Sequence, residues 1–199
     1  MKKASTDFEI LEVIAKRWSP YGFDSKAVPV GDLRSLFEAA RWAASSFNEQ
    51  PWRYIVATKD DADEFERILS CLVDANQSWA KAAPVLALGI AKLTFTQNGK
   101  PNVAAIHDLG QGSATLALEA TARGLSVHQM TGILPDRARE LFGVPEDFEV
   151  VTAIAIGYAA DPESLPPDAK KTDTTPRQRK PVSEIVFGGE WGSPSKLAE

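Results

Sequence analysis

The amino-acid sequence predicts an α+β fold: a mixed sheet flanked by helices, built around one long central helix and finished by an extended C-terminal arm. Three observations carry this expectation. Segments of helical and of strand character follow one another without regular βαβ alternation. Residues 103–123 form the least polar long segment, dense in Ala, Gly and Leu. Beyond residue 158 the chain carries Pro162, Pro166, Pro167, Pro176, Pro181 and Pro194, a density that no ordinary core element tolerates.

The elements follow in order. Phe8, Leu11, Ile14 and Ala15 recur at helical spacing behind Ser5 and Thr6, which predicts an amphipathic helix to about Lys16, ended by Arg17-Trp18-Ser19-Pro20. Pro29 and Asp32 open a second helix through Ala44, with Leu33, Leu36, Phe37, Ala40 and Ala43 on one stripe. Residues 54–58 read as a short buried strand, and residues 62–73 as a helix turning Phe65, Ile68, Leu69 and Leu72 inward. A second strand starts at Pro84 and runs to about Ala91. The segment 103–123 then reads as a helix buried over most of its circumference, fit for the centre of a domain or of a dimer. Gly124 follows as its C′ glycine and leads into a strand at 125–129, a short helix at 135–142 and a strand at 150–158. Residues 159–199 are the arm, and an arm of this length needs a surface to lie on.

The composition bounds the function. The chain has 199 residues, 44% hydrophobic and 25% charged, which is material for a single domain spanning 1–199. A net charge of -5 with interspersed signs offers no footprint for nucleic acid or an anionic membrane. Cys71 is the only cysteine, so an intrachain disulfide framework and a multi-cysteine metal site are excluded, and a reducing, cytoplasmic home is expected. Met1-Lys2-Lys3 has the basic start of a signal peptide without the apolar stretch that should follow. The longest apolar runs, such as 84–91, are too short to span a bilayer.

The segment Ala44-Ser45-Ser46-Phe47-Asn48-Glu49-Gln50-Pro51-Trp52-Arg53 packs hydroxyls, amides and a tryptophan between a helix end and a strand. On residue types alone a polar helix terminus is the simpler reading, because Ser and Asn satisfy orphan backbone groups and Pro starts the next element. Ser45-Ser46-x-Asn48-x-Gln50-Pro51-Trp52, following Ala39-Ala40-Arg41-Trp42-Ala43, nevertheless resembles the flavin-site loop of the flavin-dependent nitroreductase family. Three further matches stand in the right order, so the resemblance covers roughly residues 14–187.

The resemblance implies a set of roles. The loop runs along an FMN, with Ser45, Ser46, Asn48 and Gln50 as its contacts and the asparagine amide near the pyrimidine edge or N5. Arg17-Trp18-Ser19 resembles the family's Arg-x-Ser, whose arginine meets the FMN phosphate; a guanidinium's planar fork pairs two phosphate oxygens at once. Gln129-Met130-Thr131-Gly132 resembles the segment that packs on one face of the isoalloxazine and offers an amide to N5. On residues alone it reads equally as a strand-to-helix turn before Pro135. Arg177 and Arg179 resemble the basic pair that closes on the phosphate. The family architecture implies a homodimer, with the long helix in the interface, the arm wrapping the partner and each flavin between subunits.

The function implied is an FMN-dependent oxidoreductase passing electrons from NADH or NADPH to a small electrophilic acceptor such as a nitroaromatic or quinone, in a ping-pong cycle with no catalytic side chain of its own. The same flavin fold acting on an enone, aldehyde or halogenated aromatic, or a flavin-binding protein with little turnover, are the alternatives. Tyr21 departs from the pattern, standing where many members carry Arg or Lys near flavin N1 and O2. Asn76-Gln77-Ser78-Trp79 resembles a helix end reaching the same edge. His107, Asp108 and His128 match no local metal-ligand motif, and a hydrogen-bonded histidine is the commoner finding. Cys71 lies beside an inward helical stripe and reads as core.

Overall fold

The computed structural model describes residues 2–198. Its frame is a sheet of β1 (Trp52–Thr58), β2 (Val85–Lys92), β3 (Ser126–Met130) and β4 (Phe148–Gly157) in the order β1-β2-β4-β3. All three pairings are antiparallel, so the architecture mixes helices with sheet while the strands themselves alternate uniformly in direction. β2 and β4, apolar on both faces, take the two central positions, as burial on both sides requires.

Strand alternation then divides the core in two. Leu86, Leu88 and Ile90 of β2, with Ala153 and Ala155 of β4, face one cluster. That cluster is closed by α3 (Ala62–Leu69), α4 (Asp74–Ala80) and α6 (Pro135–Phe142) through Phe65, Ile68, Ala80 and Ala138. Val85, Ala87, Ile154 and Ile156 face the other, closed by Leu33, Leu36 and Ala40 of α2 (Val30–Arg41) and by Leu116, Ala117 and Ala120 of α5 (Ala105–Ala122). Leu36, Ile68, Leu86, Leu88, Leu116 and Ile154 are fully buried, each worth about 1.5–3 kcal/mol by transfer from water.

Three departures from expectation have physical causes. The helix expected to begin near Thr6 is confined to α1 (Glu12–Lys16). Phe8, Ile10, Leu11 and Ile14 stay exposed, so the periodic stripe has no core to pack against, and an unpacked short helix does not form. The helix expected over 62–73 stops at Leu69 because the following backbone pairs elsewhere. Val73 N donates to the Gly132 carbonyl at 3.1 Å and Leu134 N to the Cys71 carbonyl at 2.7 Å, and α4 then starts afresh. Within the arm, expected to be extended throughout, α7 (Pro167–Thr174) forms with its proline at the first position, where the missing N–H costs nothing. The arm also buries one charged side chain, Asp173. No helix among the described residues is long and apolar enough to cross a membrane.

Candidate functional site

Residues 17–22 leave α1 as a bare loop and are held from three directions. Nη1 and Nη2 of Arg177, on the arm, donate to the carbonyls of Arg17 and Ala15, the latter at 2.5 Å. The Asp173 carboxylate accepts from Tyr21 N at 3.0 and 3.1 Å and from Gly22 N at 2.9 Å. His128, on β3, shares a 2.8 Å hydrogen bond with the Pro20 carbonyl; a carbonyl only accepts, so the His128 Nδ1 carries the proton.

This loop and the arm bring Arg17, Arg177 and Arg179 together. Burial lowers the pKa of both Arg17 and Arg177, and mutual repulsion adds to it: Arg179 acts on Arg17, and both Arg17 and Arg179 act on Arg177. Among the described residues none of the three makes an ion pair with a carboxylate. Arg177 Nε is buried with no hydrogen-bond partner among the described residues. They open on a cleft of about 890 Å³ lined also by Lys180, Phe8 and Ile185; Asp7 lies on it too, but pairs with none of them. Like charges gathered without a carboxylate repel one another and favour an anion beside them, and planar guanidiniums suit a phosphate group.

Beside this cluster, Ser19 Oγ accepts from Arg17 Nη1 at 3.3 Å, and Trp18 is buried beneath Lys2, whose Nζ stands 5.4 Å from the ring centroid. Tyr21 packs edge-on against Trp79 and His128, with centroids 5.1 and 4.8 Å away, and His128 lies 4.4 Å from Trp79. An aromatic box therefore occupies the place beside residue 21. Burial lowers the His128 pKa, and Arg17 lowers it further against the opposing pull of the Pro20 carbonyl and Asp173.

The same box joins the second predicted segment to the first. Trp79 lies on α4, and from that helix Asn76 Nδ2 donates to the Gly132 carbonyl at 3.0 Å. The residue is glycine because a Cβ there would stand 2.4 Å from Asn76 Nδ2. Met130 is buried with its carbonyl accepting from Thr152 Oγ1 at 3.0 Å, Thr131 is exposed, and Gln129 Nε2 donates to the Ser113 carbonyl at 3.2 Å.

The third predicted segment is not joined to these. Residues 45–50 are anchored on α5, where Ser46 N donates to the buried Asp108 carboxylate at 2.9 Å. Gln50 N donates to Ser45 Oγ at 3.0 Å and Gln50 Nε2 to the Asn48 carbonyl at 3.1 Å. Phe47, Asn48 and Gln50 all have positive φ, the only non-glycine residues described that do, and such strain is retained where the surroundings over-determine it. No hydrogen bond or ion pair among the described residues links this loop to the arginines. His107 Nδ1 sits 3.2 Å from Asp108 Oδ1, and no group of three or more His, Cys, Asp or Glu among the described residues is placed to hold a metal.

Sequence reasoning missed Asp173 and the anchoring role of Asp108, and it expected a hydrogen-bonded histidine without naming Pro20 as the partner of His128. One signal existed: a carboxylate in the last turn of a helix opposes the helix dipole and calls for a tertiary reason.

Comparison with known proteins assigns this fold to a class. The chain belongs to the Nitroreductase family, whose model matches residues 14–158. It is an enzyme of the oxidoreductase class. It is 33% identical to an uncharacterized 15.4 kDa protein of Mycolicibacterium smegmatis, over 68% of this chain and 90% of that one. It is 28% identical to an NADH dehydrogenase of Thermus thermophilus, over 86% of this chain and 92% of that one. Its fold superposes on the crystal structure of an oxidoreductase containing FMN with a TM-score of 0.89 and 32% identity, covering 96% of each chain.

Proposed function

We propose that this enzyme binds FMN and passes electrons from NADH or NADPH to a small electrophilic acceptor, such as a nitroaromatic or quinone, in a ping-pong cycle. The observation that carries the reading is the gathering of Arg17, Arg177 and Arg179 without a carboxylate, with Arg177 Nε buried and unpartnered. That is a donor set lacking an anion, and the terminal phosphate of FMN supplies one. The similar oxidoreductase containing FMN and the similar NADH dehydrogenase support the cofactor and the donor class.

Bound there, FMN supplies reversible two-electron transfer, and the protein fixes and tunes it. The chain's own residues do the rest. Arg17, Arg177 and Arg179 hold the phosphate, and Ser19 steadies Arg17. Residues 129–132 present a backbone held by Asn76 to the ring. Tyr21, Trp79 and His128 would line the edge with aromatic surface and would supply no cation on that side.

The loop bearing Ser45, Ser46, Asn48 and Gln50 completes the site from a second copy of the chain. Val103, in the turn before α5, and Ile106 are 98% and 47% exposed, and Ile106 with the exposed Gly110 and Ala114 makes an unpartnered stripe along one side of α5. A homodimer packed on this stripe covers it, as one domain per chain with the part of the arm beyond Arg179 reaching across. A cytoplasmic setting belongs to the same reading, supported by the single buried thiol.

The test is an absorbance spectrum of purified protein before and after anaerobic NADPH, then NADH. Oxidised-flavin bands that bleach establish the activity and name the donor, whereas protein that stays colourless after incubation with FMN overturns the reading. In the double variant Arg177→Ala/Arg179→Ala, FMN affinity should fall by about a hundredfold or more, two charge-assisted contacts being lost. Unchanged affinity would remove the phosphate role from the arm.

A further inference from the structure

Asp173 is the one charged side chain that the arm buries, and it pairs with no basic residue among the described ones. A buried, unpaired carboxylate is costly unless hydrogen bonds replace its water. Here they do: both oxygens are taken up by the consecutive amides of Tyr21 and Gly22, at 2.9 to 3.1 Å. Two successive N–H groups aimed at one point form an anion nest, and the chain fills it with its own side chain. Packing does not account for an aspartate at this place, since it sits in the last turn of α7 against the helix dipole.

Four residues further on, Arg177 grips the same loop at its other end, through the carbonyls of Ala15 and Arg17. Residues 173–177 therefore lie along residues 15–22 as a staple with two pins, a carboxylate on two amides and a guanidinium on two carbonyls. The first pin needs nothing beyond the chain itself. The second is made by a repelled, half-buried guanidinium whose Nε has no partner. Arg179 follows directly, and among the described residues its side chain bonds only to the neighbouring Gln178 carbonyl, through Nη1.

We infer that Asp173 is a positioning residue for flavin phosphate recognition: by filling the Tyr21–Gly22 nest it seats the arm so that Arg177 and Arg179 converge on Arg17. The inference rests on the FMN reading above and deepens it. It makes arm docking and phosphate binding one coupled event, because each fixes the same segment of chain. Asp173 itself does not touch the flavin. Its removal costs affinity for the phosphate more than affinity for the ring, whose edge it reaches only through Tyr21.

The experiment compares FMN with riboflavin, which carries the same ring and ribityl chain without the phosphate. Both are titrated by flavin fluorescence quenching against the wild type, Asp173→Ala and Asp173→Asn. The wild type should prefer FMN strongly. Asp173→Ala should lower FMN affinity by about tenfold or more, as expected for a lost charge-assisted anchor, with a clearly smaller loss for riboflavin, so that the FMN preference narrows. Asp173→Asn, which keeps the volume and one acceptor oxygen, should recover part of the preference and carries the test should the alanine variant not fold. A merely structural role would weaken both flavins alike, so equal losses, or an unchanged FMN preference in Asp173→Asn, overturn the inference alone. A wild type that binds neither flavin overturns the FMN reading and this inference together.

Discussion

Replacing Gly132 with alanine tests how the turn after β3 is held. A Cβ at this position would lie 2.4 Å from Asn76 Nδ2 and 3.0 Å from Val73 Cγ2. The Gly132 carbonyl also accepts from Val73 N at 3.1 Å and Asn76 Nδ2 at 3.0 Å. The amide of Asn76 is the far end of a flexible side chain and can swing away, but in doing so it surrenders its bond, a loss of about 1 kcal/mol. The Val73 contact cannot be relieved that way and adds about 1–2 kcal/mol of overpacking. Gly132→Ala should therefore cost about 2–3 kcal/mol, lowering Tm by about 5–10 °C for a chain of this size. Asn76→Ala alone should cost about 1 kcal/mol, since Val73 N still satisfies the carbonyl. In the double variant the clash with Asn76 no longer exists, so the two costs should fall short of their sum by about 1 kcal/mol. Urea melts of flavin-free protein followed by far-ultraviolet circular dichroism measure all three values. Strict additivity, or a Gly132→Ala protein as stable as the parent, would show that Asn76 does not enforce this glycine.

Two further predictions concern buried groups that titrate. The His128 pKa lies below its ordinary 6.5, so the unfolded chain binds the proton more readily than the folded one. This contribution to stability is complete above about pH 6.5 and is lost as pH falls from there toward the folded value. His128→Gln, which keeps a donor for Pro20, should flatten that part of the stability–pH curve, and an unchanged slope between the two proteins would refute the assignment. Cys71 is fully buried, its Sγ donating to the Arg67 carbonyl, and burial pushes its pKa up. Native protein should thus resist thiol reagents at neutral pH and release one equivalent only on unfolding; fast labelling of folded protein would contradict the burial.

Much of the site was legible because the motif residues are grouped in sequence. Ser45, Ser46, Asn48 and Gln50 sit on one short loop, Arg17 and Ser19 flank one tryptophan, and Gln129 to Gly132 are consecutive. The structure unites the second and third groups through Trp79 and His128, and it leaves the first on Asp108 of α5. The Tyr21 departure became interpretable only in three dimensions, where aromatic rings from α4 and β3 surround it.

By itself the sequence determined the four strands and the helices α2, α3, α5 and α6 in their order along the chain, because each follows from alternation or periodicity within a short window. It also determined that the tail is rich in proline and holds two arginines. Tertiary structure decided where α3 ends, since backbone groups of residues 71–73 pair with residues 132–134 far along the chain. It decided that the first expected helix is reduced to Glu12–Lys16, since Phe8, Ile10, Leu11 and Ile14 stay exposed. It decided, above all, that Asp173 closes on amides 151 and 152 residues away. A contact of that separation leaves no periodic trace, because it is fixed by the meeting of two loops and not by the propensity of either.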